Sequence, residues 1–132
     1  MKRPFFWLVL GVAMGCLGCE PSLDVTPRVV DDQVVVEIKA RGVNSVFRLK
    51  VEDESGNPIW ILHDPDLKSK QPVVYGAVPE GTGKQTGPSQ IFPHDNKPPK
   101  DIRGKTVVIF VEYQHDTTVA KSGVFRKVVE IP

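Results

Sequence analysis

Period-two alternation dominates this chain, and no stretch beyond residue 19 repeats with the period of a helix. In Gln33–Ala40 the residues Val34, Val36, Ile38 and Ala40 fall on one face. In Val46–Val51 the residues Phe47, Leu49 and Val51 fall on one face, and Arg48 and Lys50 on the other. Successive side chains of a strand point to opposite faces, so alternating runs rich in β-branched residues are expected as half-buried strands.

Turn chemistry separates the runs. Asp31-Asp32 and Arg41-Gly42-Val43-Asn44 flank the first, and Glu54-Ser55-Gly56-Asn57-Pro58 returns the chain as Ile59-Trp60-Ile61-Leu62, a hairpin with the strand before it. Val73–Ala77 lies between Pro72 and Pro79, which cannot donate to a ladder, so it is expected at a sheet edge. Lys105–Tyr113 is nearly all apolar and reads as a central strand covered on both faces. His115-Asp116-Thr117-Thr118 turns the chain into a last strand, Gly123–Ile131. Between these lies a long loop, residues 79–104, with five prolines and four glycines. Loops of that length in a compact domain are functional or disordered.

About seven short strands joined mostly by short turns make an all-β protein, a single small antiparallel β-sandwich with Greek-key connections, over residues 28–132. Trp60 is its expected core tryptophan. The layout resembles the immunoglobulin-like and fibronectin type III-like domains of secreted bacterial proteins. The paired cysteines of antibody domains are absent. Tyr113 ends the penultimate strand instead of opening it, so a tyrosine corner is not expected.

The first nineteen residues have a different logic. Lys2 and Arg3 precede the apolar run Phe5–Met14, which ends in Gly15-Cys16-Leu17-Gly18-Cys19. A charged start, a short apolar middle and a small-residue exit make a secretory signal peptide. The run is shorter than the roughly 20 apolar residues of a settled membrane-spanning helix. The exit resembles the lipobox of bacterial lipoproteins, which are cut just before a cysteine whose sulfur carries diacylglycerol. The resemblance implies a signal peptide over 1–18, lipidation of Cys19 with Cys16 as the alternative, and a lipid-anchored tether over 19–27. Glu20 follows Cys19 where an aspartate would favour inner-membrane retention, so the resemblance implies the outer membrane, facing the periplasm.

Charge narrows the partners. After removal of residues 1–18 the chain has 15 basic and 16 acidic residues, a net charge of −1. Nucleic-acid binding, which wants a clustered basic surface, is not expected. Electrostatics adds nothing to membrane attraction, so the lipid must supply it; a single acyl chain binds marginally and two anchor stably.

Candidate sites are few. Each histidine precedes an aspartate, in His63-Asp64, His94-Asp95 and His115-Asp116, and both residue types ligate zinc or copper. Their spacing matches no metal signature, so no metal site and no cofactor are assigned; His63, His94 and His115 are the residues from which one would be built. Gly81–Gly87 looks briefly like a phosphate-binding loop, but Val78 stands where the first glycine is required and Gln85 follows Lys84 in place of Ser or Thr. No serine lies in a Gly-x-Ser-x-Gly context. Apolar residues in the long loop, Ile91 and Phe92 with His94 beside them, together with Tyr75, form the candidate binding loop, since loops on rigid sandwiches often carry binding.

The expected function is therefore non-enzymatic: a lipid-anchored interaction or accessory module of the bacterial cell envelope. Its partners would be the membrane, through the lipid, and an envelope protein met by the long loop or by an exposed edge strand. The alternatives are binding of a carbohydrate or cell-wall component, for which Tyr75 and Phe92 would need to share a groove, and metal binding through the His-Asp pairs.

Overall fold

The computed structural model describes residues 21–81, 87–115 and 121–132. The expected signal peptide, Cys16, Cys19 and most of the Gly81–Gly87 loop lie outside the described residues.

Strands β1 (Ser22–Val30) and β2 (Gln33–Arg41) form a hairpin closed by Asp31 and Asp32. Both aspartates have positive φ, 52° and 64°, as a two-residue type I′ turn requires. Strands β3 (Ser45–Glu52) and β4 (Pro58–His63) form the second hairpin. In its turn the Asp53 carboxylate accepts the Ser55 and Asn57 amides, each at 2.9 Å. The remaining strands are β5 (Val73–Val74), β6 (Ser89–Phe92), β7 (Thr106–Gln114) and β8 (Ser122–Glu130). They make two antiparallel sheets, ordered β1-β2-β5 and β6-β4-β3-β7-β8. The chain crosses between sheets after β2, returns β5 to β2, and brings β7 back beside β3, a Greek-key interleaving.

Two inner faces make the core. Val25, Val36, Val46, Leu49, Val51, Trp60, Leu62, Ile109 and Val111 are all completely buried. Burial of one such aliphatic side chain stabilises by about 1.5–3 kcal/mol relative to its exposure. Trp60 takes the core position expected of it.

Four expectations need correction. Residues 22–27 are not a tether. They belong to β1, which pairs with β2 along its whole length and buries Val25; Pro27 misled because an edge strand tolerates a missing donor. The segment 79–104 is not all loop. It contains the four-residue β6, of which Ser89, Gln90 and Phe92 pair with β4, so the described residues hold eight strands. The face of β3 is shifted at its start: a bulge between Val46 and Arg48 puts Val46 in the core and leaves Phe47 half-buried, because an extra residue inverts the alternation. Finally, the Val73–Ala77 edge strand is only Val73–Val74; Gly76, at φ 84°, turns the chain away.

β7 is covered on both faces, but in different ways. Val107, Ile109 and Val111 face the core. On the outer side Phe110 is half-buried beneath side chains of its own sheet; the Lys50 ammonium sits 4.8 Å from its ring centroid and the Arg126 guanidinium 5.9 Å, within cation–π range.

Candidate functional site

The residues of the candidate binding loop do not converge. Tyr75 turns inward, its ring edge-on to Trp60 at 5.2 Å, and its hydroxyl donates to the Lys100 carbonyl at 2.7 Å. Burial, with help from the Asp101 charge, raises its pKa well above the usual phenol value. Phe92 is paired with Ile61, and Ile61 with Lys50, which places Phe92 on the outer face of the five-stranded sheet. Tyr75 and Phe92 thus share no groove, and the stacking pair that carbohydrate binding would use is not formed. Ile91 is 38% exposed and His94 is exposed beside Phe92, ring to ring at 5.8 Å. The loop is held down from within. Gln90 accepts the Trp60 indole N–H at 2.8 Å and donates its own amide to the carbonyls of Pro93 and Lys97 at 3.0 and 2.7 Å.

The histidines stay apart. His63 ends β4, whereas His94 follows β6, which runs antiparallel to β4; the two leave from opposite ends of the strand pair. His115 follows β7 and lies against Tyr113 at 5.9 Å. Asp64 is 1% exposed and engaged by the Lys70 ammonium at 3.0 Å and the Asp66 amide at 2.9 Å, so it serves the turn after β4. Among the described residues no three His, Cys, Asp or Glu side chains come close enough to hold a metal ion. Asp116 lies outside the described residues.

A cleft of about 340 Å³ opens where the β1–β2 turn meets the long loop, lined by Val34, Tyr75, Pro98, Pro99, Asp101 and Arg103. Its charges are already matched. Arg103 Nε and Nη2 reach the Asp101 carboxylate at 3.0 and 2.8 Å, and Nη1 lies 3.8 Å from Asp32. The Arg103 hydrogen bonds hold the Asp101 carboxyl at about 2. One guanidinium between two carboxylates leaves a net negative charge, which does not attract an anion.

The outer face of the five-stranded sheet offers more. The register sets Phe92, Ile61, Lys50, Phe110 and Arg126 in one row across it. His63, Arg48, Glu112 and Val124 form the next row, with Arg48 and Glu112 3.5 Å apart. The row ends at β8, an edge strand where Val124 is 61% and Val128 52% exposed. Sequence reading missed this surface because both faces of β8 carry apolar residues: Phe125 and Val129 inside, Val124 and Val128 outside.

No helix among the described residues is long and apolar enough to cross a membrane. Comparison of the chain with protein-family models, with curated proteins and with solved structures finds no match.

Proposed function

We propose that this chain is a lipid-anchored β-sandwich of the bacterial cell envelope, acting without catalysis as an interaction module close to the membrane surface. The observation that carries the reading is the spacing between the lipobox-like exit and the first strand. Cys19 precedes Ser22, the start of β1, by three residues, and three residues extend on the order of 10 Å. A lipid on Cys19 therefore holds the sandwich at the headgroups with no long spacer. A lipid on Cys16 adds roughly another 10 Å. The outer face and open edge of the five-stranded sheet are the surface left for a partner.

Intact-mass measurement of the membrane-bound mature protein tests this, with Cys19→Ala and Cys16→Ala variants beside it. The expected result is a diacyl or triacyl mass on a chain starting at Cys19, lost in the Cys19→Ala variant alone. An unacylated product released in soluble form overturns the anchor.

A further inference from the structure

We propose that the free edge of β8 is a strand-addition site for an extended partner segment in which an acidic residue lies between two β-branched apolar ones, each two positions away. The inference rests on the interaction-module reading and gives that module its contact and the chemistry of its partner.

Four strands end the two sheets: β1, β5, β6 and β8. Natural proteins blunt exposed edges by shortness, prolines, bulges or charged side chains; β8 has only the last, in Arg126, Lys127 and Glu130. β5 has two residues and β6 four, with Pro93 directly after it. β1 contains Pro27. β8 has nine residues, no proline, and pairs with β7 without a register shift.

The direction of its backbone groups follows from the ladder. The Ile131 amide donates to the Lys105 carbonyl at 2.9 Å, and the His115 amide to the Lys121 carbonyl at 3.1 Å. In an antiparallel pair the residues of one strand bond to their neighbour at every second position. Odd-numbered residues of β8 therefore face β7, and the amides and carbonyls of Ser122, Val124, Arg126, Val128 and Glu130 face outward. Their side chains are the exposed ones of the strand.

The side chains choose the occupant. On the inner side Lys127 is already engaged, by the Asp24 carboxylate at 2.8 Å and the Val25 carbonyl at 3.0 Å. On the outer side an added strand meets Val124, Arg126 and Val128 in turn. Cross-strand pairs favour β-branched against β-branched and opposite charge against charge. The complement is apolar, acidic, apolar at alternate positions. A second copy of this chain completes the match in neither register: the antiparallel self-pairing that matches Val124 with Val128 sets Arg126 against Arg126, and the one that sets Arg126 against Glu130 leaves Val124 opposite Pro132, which has no donor.

The test uses the full chain in detergent and two end-labelled peptides, Thr-Thr-Val-Thr-Glu-Thr-Val-Thr-Thr and the same peptide with Lys in place of Glu. Anisotropy up to millimolar concentration is expected to show the Glu peptide binding about tenfold more tightly than the Lys peptide. The preference reverses in Arg126→Glu. Val124→Pro removes one outward donor that the fold does not use, and weakens both peptides; its melting temperature reports that it is folded. Hydrogen exchange is expected to slow at the amides of Val124, Arg126 and Val128 on adding the Glu peptide, and to stay unchanged at Phe125 and Lys127. Equal binding of the two peptides, no binding, unchanged exchange at the outward amides, or a peptide-free dimer abolished by Val124→Pro overturns the proposal. An unacylated mature protein that still binds the Glu peptide removes the anchor and leaves the edge site standing; an acylated one that ignores it does the reverse.

Discussion

The indole N–H of Trp60, at the bottom of the core, donates to the side-chain oxygen of Gln90 at 2.8 Å, and this one bond ties the long loop to the centre of the sandwich. Trp60 is completely buried and its N–H has no water to turn to. Gln90 uses its amide nitrogen for the carbonyls of Pro93 and Lys97, so one side chain connects core, β6 and the turn beyond it. Gln90→Leu keeps the volume and removes all three bonds. It is expected to destabilise the domain by about 1–3 kcal/mol, the cost of a buried donor left without a partner. Urea unfolding followed by Trp60 fluorescence measures this. Amides of residues 93–97 are expected to exchange faster than in the parent chain even below the unfolding transition.

Tyr113 lies across the backbone of Gly123, its partner on β8. A Cβ on Gly123 would come within 2.5 Å of the Tyr113 ring carbon and hydroxyl oxygen. The tyrosine thus covers a glycine instead of forming a corner. Gly123→Ala is expected to destabilise by about 1–3 kcal/mol, as overpacking does. In Tyr113→Ala the obstruction is gone, so adding Gly123→Ala to it is expected to cost far less than Gly123→Ala alone. A double-mutant cycle by thermal melting checks the coupling.

The strands that sequence revealed are those whose pattern is long and one-sided. β2 declares itself through Val34, Val36 and Ile38, and the β3–β4 hairpin through the turn residues Gly56 and Pro58. β1 hid because only Val25 of its nine residues is fully buried, as suits an edge strand, and because Pro27 reads as a break. β6 hid because four residues cannot show a period, and its tie to the core is a polar side chain, Gln90, that hydrophobic patterning does not weigh. Phe47 and Val46 exchanged roles through a bulge, which nothing in the local pattern marks. The candidate site suffered from a related gap. Tyr75 and Phe92 look equivalent as aromatics near a loop, and only strand pairing puts one inside and the other on the outer face. The edge of β8 became visible only with the sheet order.

Asp64 is a buried charge with a dedicated partner. Its carboxylate accepts from the Lys70 ammonium at 3.0 Å and the Asp66 amide at 2.9 Å, and its own amide donates to the Phe47 carbonyl. Lys70→Ala leaves that carboxylate without its cation, and is expected to destabilise by about 3 kcal/mol, toward the lower end for a buried pair because the Lys70 side chain is itself 17% exposed. With Asp64→Asn added, the remaining group is neutral, and the second substitution is expected to recover part of the loss. Chemical unfolding of the two singles and the double measures the recovery. A double variant as unstable as the sum of its singles overturns the assignment.

Acid should loosen the molecule through three carboxylates. Hydrogen bonds from Arg103 hold Asp101 at about 2, the Lys127 ammonium lowers Asp24, and the Asn57 amide lowers Asp53. Each folded value lies below the usual aspartate value of about 3.9 in an unfolded chain. A depressed folded pKa means that the unfolded chain binds protons first on acidification. The contribution of these groups is therefore fully present above about pH 5 and is lost as the pH falls through 3.9 toward 2. All three are solvent-facing, so the gain from each is small and screened by salt. Carboxyl chemical shifts give the direct reading: Asp101 is expected to titrate near 2 in the parent chain and to return toward 3.9 in Arg103→Ala, with Asp24 unmoved. Lys127→Ala is expected to raise Asp24 alone. That variant also cuts the link between β1 and β8, so amides of β1 around Asp24 and Val25 are expected to exchange faster in it at neutral pH.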